Sequence, residues 1–255
     1  MQRNYSRCHT VGILLSFLFI FTIPTLLRAD SSHSRVINGE SANDGDWPFM
    51  LGIAFTGDDI TVDGLGCGAT LINESYAITA AHCVTYPSFV TALEENYSPA
   101  QIRIRYGSNS IRELKEIEVA DIIVHPEYRI SLLGAPLNDI AIIRLAEPIT
   151  LDPVSLPQQP SNVNETAHIL GWGMTTPDWP VLPVLLQEAE VSLKSEENCQ
   201  DSYGLVYDPG SMLCASGSTE KEEIIDTCAG DSGGPLIQLV NGQWTLMGIT
   251  SFGFA

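Results

Sequence analysis

Asp226-Thr227-Cys228-Ala229-Gly230-Asp231-Ser232-Gly233-Gly234-Pro235 is the stretch on which the reading of this chain turns. Its core, Gly230 to Pro235, is a string that arises by chance only about a few times in 10⁵ chains of this length. Glycines crowding one serine mean a backbone that needs positive φ or that comes close to a ligand. Ser232 is therefore a candidate nucleophile. A neutral hydroxyl attacks poorly and needs an adjacent base, so the rest of the chain must supply one.

Two other motifs can do so. Thr79-Ala80-Ala81-His82-Cys83 offers an imidazole, and Asn138-Asp139-Ile140-Ala141-Ile142-Ile143 places an acid at the mouth of an apolar run. Gly230–Gly234 also fits the Gly-x-Ser-x-Gly elbow of α/β-hydrolases, in which the acid and then the histidine follow the serine. No Asp, Glu or His follows Ser232, which excludes that arrangement. The order His82, Asp139, Ser232 remains.

The chain has 255 residues, 44% hydrophobic and 17% charged, enough for a sizeable core and unlike a disordered, collagenous or helical-repeat composition. Thirty-one acids against 12 Lys and Arg give a net charge of −19. That excludes nucleic acid and disfavours an anionic membrane surface as partner, and suits cationic ligands. Arg3 and Arg7 precede an uncharged run from Val11 to Leu27, with a small residue at Ala29. This predicts a signal peptide over residues 1–29, a short propeptide over 30–35, and a body that is extracellular with no membrane association once the signal is removed. Six cysteines without a Cys-x-x-Cys pair point to a few disulfides rather than zinc. Beyond residue 35 only eight basic residues remain against 30 acids.

Short apolar or alternating runs recur at Phe49–Phe55, Ala69–Ile72, Tyr76–Thr79, Ile102–Tyr106, Ile117–Val124, Ile140–Leu145, His168–Gly171, Leu185–Leu193, Pro235–Leu239 and Thr245–Phe252. Many short strands with regular turn signals predict an all-β sandwich or barrel, with Asn241-Gly242 as its clearest hairpin. Pro148, Pro153, Pro157 and Pro160 mark a connection, about 148–160, between a first half at about 36–147 and a second at about 161–255.

With these motifs, Val36–Ala255 resembles the trypsin-like (chymotrypsin-fold) serine proteases. The resemblance implies two packed six-stranded antiparallel β-barrels with an active site in the crevice between them. His82 and Asp139 would come from the first barrel and Ser232 from the second. His82 would be the base, Asp139 its orienter, and the backbone N–H groups of Gly230 and Ser232 the oxyanion hole. Ser251 would support Asp139 and, with Phe252 and Gly253, line the substrate cleft. Asp226, where the family's specificity pocket has its floor, implies cleavage after Arg or Lys through a charge-assisted pair.

Arg35-Val36-Ile37-Asn38-Gly39 resembles the family's activation junction. Cleavage after Arg35 by an activating protease would free the Val36 amine to pair with Asp231. The scarcity of Lys and Arg would limit self-digestion by an enzyme of this preference. Cys67–Cys83 and Cys199–Cys214 resemble two bridges of the family; Cys8 leaves with the signal, and the cysteine that would pair with Cys228 in the family is not found in this sequence. The family continues past Gly253 with a strand and a helix, so the second barrel is expected to be incomplete in this chain. The resemblance implies protein or peptide substrates, an activating protease and protein inhibitors as partners, and no cofactor. Some members of the family bind calcium on a first-barrel loop, but the acids Glu113, Glu116 and Glu118 of Gly107–Glu118 do not match that loop well enough to assign a metal here. The alternative is an inactive homologue acting as a binding or regulatory module, or a non-functional fragment.

Overall fold

The computed structural model describes residues 39–56, 64–87, 94–159, 163, 165–174, 182–219, 224–225, 227 and 229–253. All lie within one compact unit, His33–Ala255. The signal and propeptide, Arg35, Val36, Asp226 and Cys228 fall outside the described residues. Among the described residues no helix is long and apolar enough to cross a membrane.

In the first half, six strands close into an antiparallel barrel. They are β1 (Met50–Phe55), β2 (Leu65–Asn73), β3 (Tyr76–Thr79), β4 (Ile102–Tyr106), β5 (Lys115–Val124) and β6 (Ala141–Leu145). Their order is β6-β3-β2-β1-β4-β5, returning to β6. The sequence of β4 explains its placement. Ile102 and Ile104 are 0% exposed, while the intervening Arg103 faces outward and reaches Glu116 and Glu118 on β5. This period of two buries one face and solvates the other. Leu51, Ile53, Leu71 and Ile143, also fully buried, belong to the same apolar cluster.

The second half is an open seven-stranded antiparallel sheet. Its strands β7 (Thr166–Gly171), β8 (Gln187–Leu193), β9 (Ala215–Ser218), β10 (Pro235–Val240) and β11 (Gln243–Ile249) run in the order β9-β8-β7-β10-β11. Ile224–Ile225 pairs outside β9, and Glu40–Ser41 pairs with β8. A separate small cluster of Ala167, Ile169, Ala189, Val191, Leu193 and Leu236 lies under it. Asn241 and Gly242 link β10 to β11 with φ of +52° and +80°, the paired positive values that a tight two-residue hairpin needs.

The proline-rich connection is pinned to both halves. Ile149 and Val154 are buried, Val154 N–H donates to the Leu71 carbonyl, and Ser155 bridges to Thr245 of β11. Helix α1 (Glu196–Tyr203), which the strand pattern did not suggest, starts at Ser195, whose hydroxyl accepts the Asn198 N–H. The disulfides Cys67–Cys83 and Cys199–Cys214 are both present.

Candidate active site

β3 ends at Thr79, and Ala81–Cys83 turn once in a 3-10 helix that presents His82 with its side chain 30% exposed. The Cys67–Cys83 bridge ties this turn to β2. On the other side of β3, β6 pairs Ala141 with Thr79, which sets Asp139 beside the same turn. Asn138 just before it has φ +52°, a left-handed conformation that asparagine tolerates better than most residues. Asp139 is nearly buried, with 5% of its side chain exposed.

The Asp139 carboxylate is fully engaged. One oxygen accepts the His82 backbone N–H at 2.9 Å; the other accepts from His82 Nδ1 at 2.7 Å and from the Ser251 hydroxyl at 2.5 Å. Burial works against ionisation of Asp139, but the bonds and charge of His82 and the Ser251 hydroxyl hold its carboxyl below the ordinary value. An ionised carboxylate only accepts, so Nδ1 donates to it, and in the neutral imidazole the lone pair then falls to Nε2.

The serine turn comes from the second half, just ahead of β10. The Ser232 carbonyl accepts the Gly68 N–H of β2 at 2.7 Å, and the Gly233 N–H donates to the Thr250 carbonyl at 2.8 Å. One peptide unit is thus held from both halves. The Cys83 sulfur lies 3.5 Å from the Ser232 carbonyl oxygen and 3.8 Å from His82 Nε2, so it abuts both groups. Gly233 has φ +78°, and a Cβ there would lie 2.2 Å from Thr79 Oγ1 and 2.4 Å from the Gly68 oxygen. Nothing larger than glycine fits this seam.

Asp231 is 1% exposed, and its Oδ1 accepts the Gly173 N–H at 2.8 Å. A Cβ on Gly171 would fall 1.9 Å from that oxygen, and one on Gly230 would fall 2.9 Å from Gly173 Cα. Gly171-Trp172-Gly173 therefore forms the bed on which the serine turn rests. Sequence reasoning missed it, although two glycines spaced by one residue at the end of a strand were a usable signal. It also missed Tyr203, whose ring meets Phe252 edge-on at 6.0 Å and anchors that aromatic beside Ser251. Gly253 is exposed. Of the expected site residues, His82, Asp139 and Ser251 share one hydrogen-bonded cluster, and the turn bearing Gly230, Asp231 and Ser232 abuts it. Cys67, His82 and Cys83 cluster closely enough to suggest metal ligands, but both sulfurs are joined in the disulfide and offer no thiolate.

This arrangement can activate a hydroxyl. An imidazole stands beside a serine-bearing turn, where it could take a proton, and the carboxylate on its other nitrogen would stabilise the imidazolium so formed. The sequence profile of the trypsin family matches residues 36–255. The chain belongs to the trypsin family. It is 35% identical over 225 residues to trypsin-1 of Astacus astacus, which covers 86% of this chain and 89% of that protein. It is 33% identical to ovochymase of Halocynthia roretzi and to the serine proteinase stubble of Drosophila melanogaster, over 90% and 91% of this chain. It spans only 14% and 29% of those two longer proteins. Among solved structures it is similar to neuropsin, a serine protease expressed in the limbic system of mouse brain. The TM-score is 0.67 and the identity 30%, covering 85% of this chain and 86% of that one. Family membership makes the fold that of the trypsin-like serine proteases, and the two disulfides suit an oxidising compartment.

Proposed function

We propose that this trypsin-family chain is a secreted endopeptidase, made as a zymogen, that hydrolyses peptide bonds after Arg or Lys. Ser232 attacks the scissile carbonyl while His82 Nε2 takes its proton, and the same imidazole protonates the leaving amine as the C–N bond breaks. A water deprotonated by His82 then hydrolyses the acyl-Ser232 ester, and His82 returns the proton to Ser232. Asp139 fixes the tautomer and offsets the positive charge. The backbone N–H groups of Gly230 and Ser232 receive the oxyanion, each such donor contributing roughly 3 kcal/mol to the transition state. Asp226 pairs with the substrate's basic side chain. The observation that carries the proposal is the double anchoring of His82 on Asp139, through Nδ1 and the backbone N–H, directly beside the serine turn.

Activation is read from the likeness of Arg35-Val36-Ile37-Asn38-Gly39 to the family's activation junction. In the family the amine freed by cleavage at this junction pairs with the aspartate that precedes the serine, here Asp231, which is 1% exposed, so Val36 becomes that amine once the bond after Arg35 is cut. The partners of this reading are protein substrates bearing Arg or Lys, an activating protease and protein inhibitors. The test compares Arg-, Lys- and Phe-terminated amide substrates before and after cleavage at Arg35-Val36, with Ser232→Ala as control. Turnover confined to the cleaved protein and to basic substrates is expected. No turnover from the cleaved protein would favour the alternative, an inactive homologue acting as a binding or regulatory module or a non-functional fragment.

A further inference from the structure

We infer that Thr79 is a positioning residue for Ser232, acting through Gly68 across the seam between the two halves; the inference rests on the endopeptidase reading for its kinetic consequence. Thr79 is 0% exposed, and its hydroxyl donates to the Gly68 carbonyl at 2.7 Å. Gly68 in turn gives its N–H to the Ser232 carbonyl at 2.7 Å. The hydroxyl and the Gly68 oxygen are also the two atoms that a Cβ on Gly233 would strike, at 2.2 and 2.4 Å. A Cβ on Gly68 would in turn lie 2.9 Å from both Gly234 Cα and Gly234 N. The serine turn thus rests on a surface whose shape Thr79 sets.

The location of Thr79 makes this more than packing. It stands three residues before His82 on the same strand and turn, and its backbone is the register partner of Ala141, two residues beyond Asp139. A single side chain therefore links the frame that holds the base and its orienter to the peptide that holds the nucleophile. The Thr79 hydroxyl holds the peptide after Gly68 and the Ser232 carbonyl is held by the peptide before it, so a shift of Gly68 would loosen the Ser232 carbonyl and leave the turn on Gly233 N–H to Thr250, Thr250 N–H to Gly234 and Gly173 N–H to Asp231. Attack needs the hydroxyl within hydrogen-bond reach of Nε2, and a displacement of about 1 Å can cost about a hundredfold.

Valine at 79 keeps the shape and removes the donor; serine keeps the donor. With protein cleaved at Arg35-Val36, Thr79→Val is expected to lower kcat about tenfold with KM changed less than about twofold, and Thr79→Ser to recover most of it. Thr79→Ala carries the same expectation as valine, so the question is decided even if valine fails to fold. Amide hydrogen exchange over residues 229–234 is expected to accelerate in the valine variant and not in the serine variant, while β7 to β9 keep their protection. A lowered thermal midpoint with wild-type kcat and wild-type exchange would reduce Thr79 to a packing residue and overturn the inference. If the unsubstituted cleaved protein shows no turnover, the endopeptidase reading fails, and the exchange comparison still decides the role of Thr79.

Discussion

In the first half, β6 pairs with both β3 and β5 and every strand has two neighbours; in the second, β11 and Ile224–Ile225 stand at the ends of the sheet among the described residues. The interiors differ in the same sense. The main apolar cluster fills the barrel and reaches into the second half through Leu170, Trp172, Leu186, Ile237 and Leu246, whereas the sheet's own separate cluster is small, and in it Ile169, Ala189 and Leu236 keep 6–8% exposure. Yet each half contributes a piece of the candidate site. The closed barrel carries His82 and Asp139, held by three strands and a disulfide. The open sheet carries Ser232 on a turn fixed by glycine contacts to the barrel and to Gly173. The difference teaches that the His82–Asp139 pair is built in place, while the serine turn is clasped.

The sharpest way to separate the two is chemical. Asp139→Asn leaves the barrel folded but offers Nδ1 the wrong partner, and is expected to lower kcat about 10⁴-fold, the magnitude this triad arrangement shows. Steady-state kinetics with the circular dichroism unchanged is the check. Next, Gly233→Ala forces a Cβ into the seam at positive φ and is expected to destabilise the fold by about 2–4 kcal/mol, read by urea unfolding. Gly107→Ala in an open barrel turn, with nothing within 4 Å of the added carbon, is expected to cost only about 1 kcal/mol.

The disulfides probe the halves separately. Removing either the Cys67–Cys83 or the Cys199–Cys214 bridge, each closing a loop of 15 or 16 residues, is expected to lose up to about 3 kcal/mol. Only the first holds the His82 turn, so only its loss is expected to reduce kcat in protein that remains folded. Equal kinetic losses from both would erase the contrast. The smallest expected effect concerns acid. The depressed Asp139 carboxyl contributes stability that is complete above its ordinary value of 3.8 and is lost as pH falls through the lower value in the folded protein. Ser251→Ala removes one of the bonds that lower it, so acid unfolding should begin at a higher pH in that variant.

Much of this was written plainly in the chain. β3 and β4 fall where Tyr76–Thr79 and Ile102–Tyr106 predict them, because alternation with buried β-branched residues is a local signal. Asn241-Gly242 made its hairpin for the same reason. The order of His82, Asp139 and Ser232 could be read because each sits in a dense motif. What escaped reading depends on contacts across long stretches of sequence. Gly68 and Thr79 look like ordinary strand residues until the serine turn is laid against them. Gly171 and Gly173 gain meaning only from the Asp231 carboxylate between them. Helix α1 carries too few apolar residues to announce itself by periodicity; its Ser195 cap and the buried Cys199 define it.

The most direct trial of the whole account is covalent labelling of protein cleaved at Arg35-Val36 with a fluorophosphonate, followed by intact mass and peptide mapping. One adduct per chain, on Ser232, absent from His82→Ala and slow in the uncleaved chain, is the predicted result. An unlabelled Ser232 in cleaved, folded protein would contradict it.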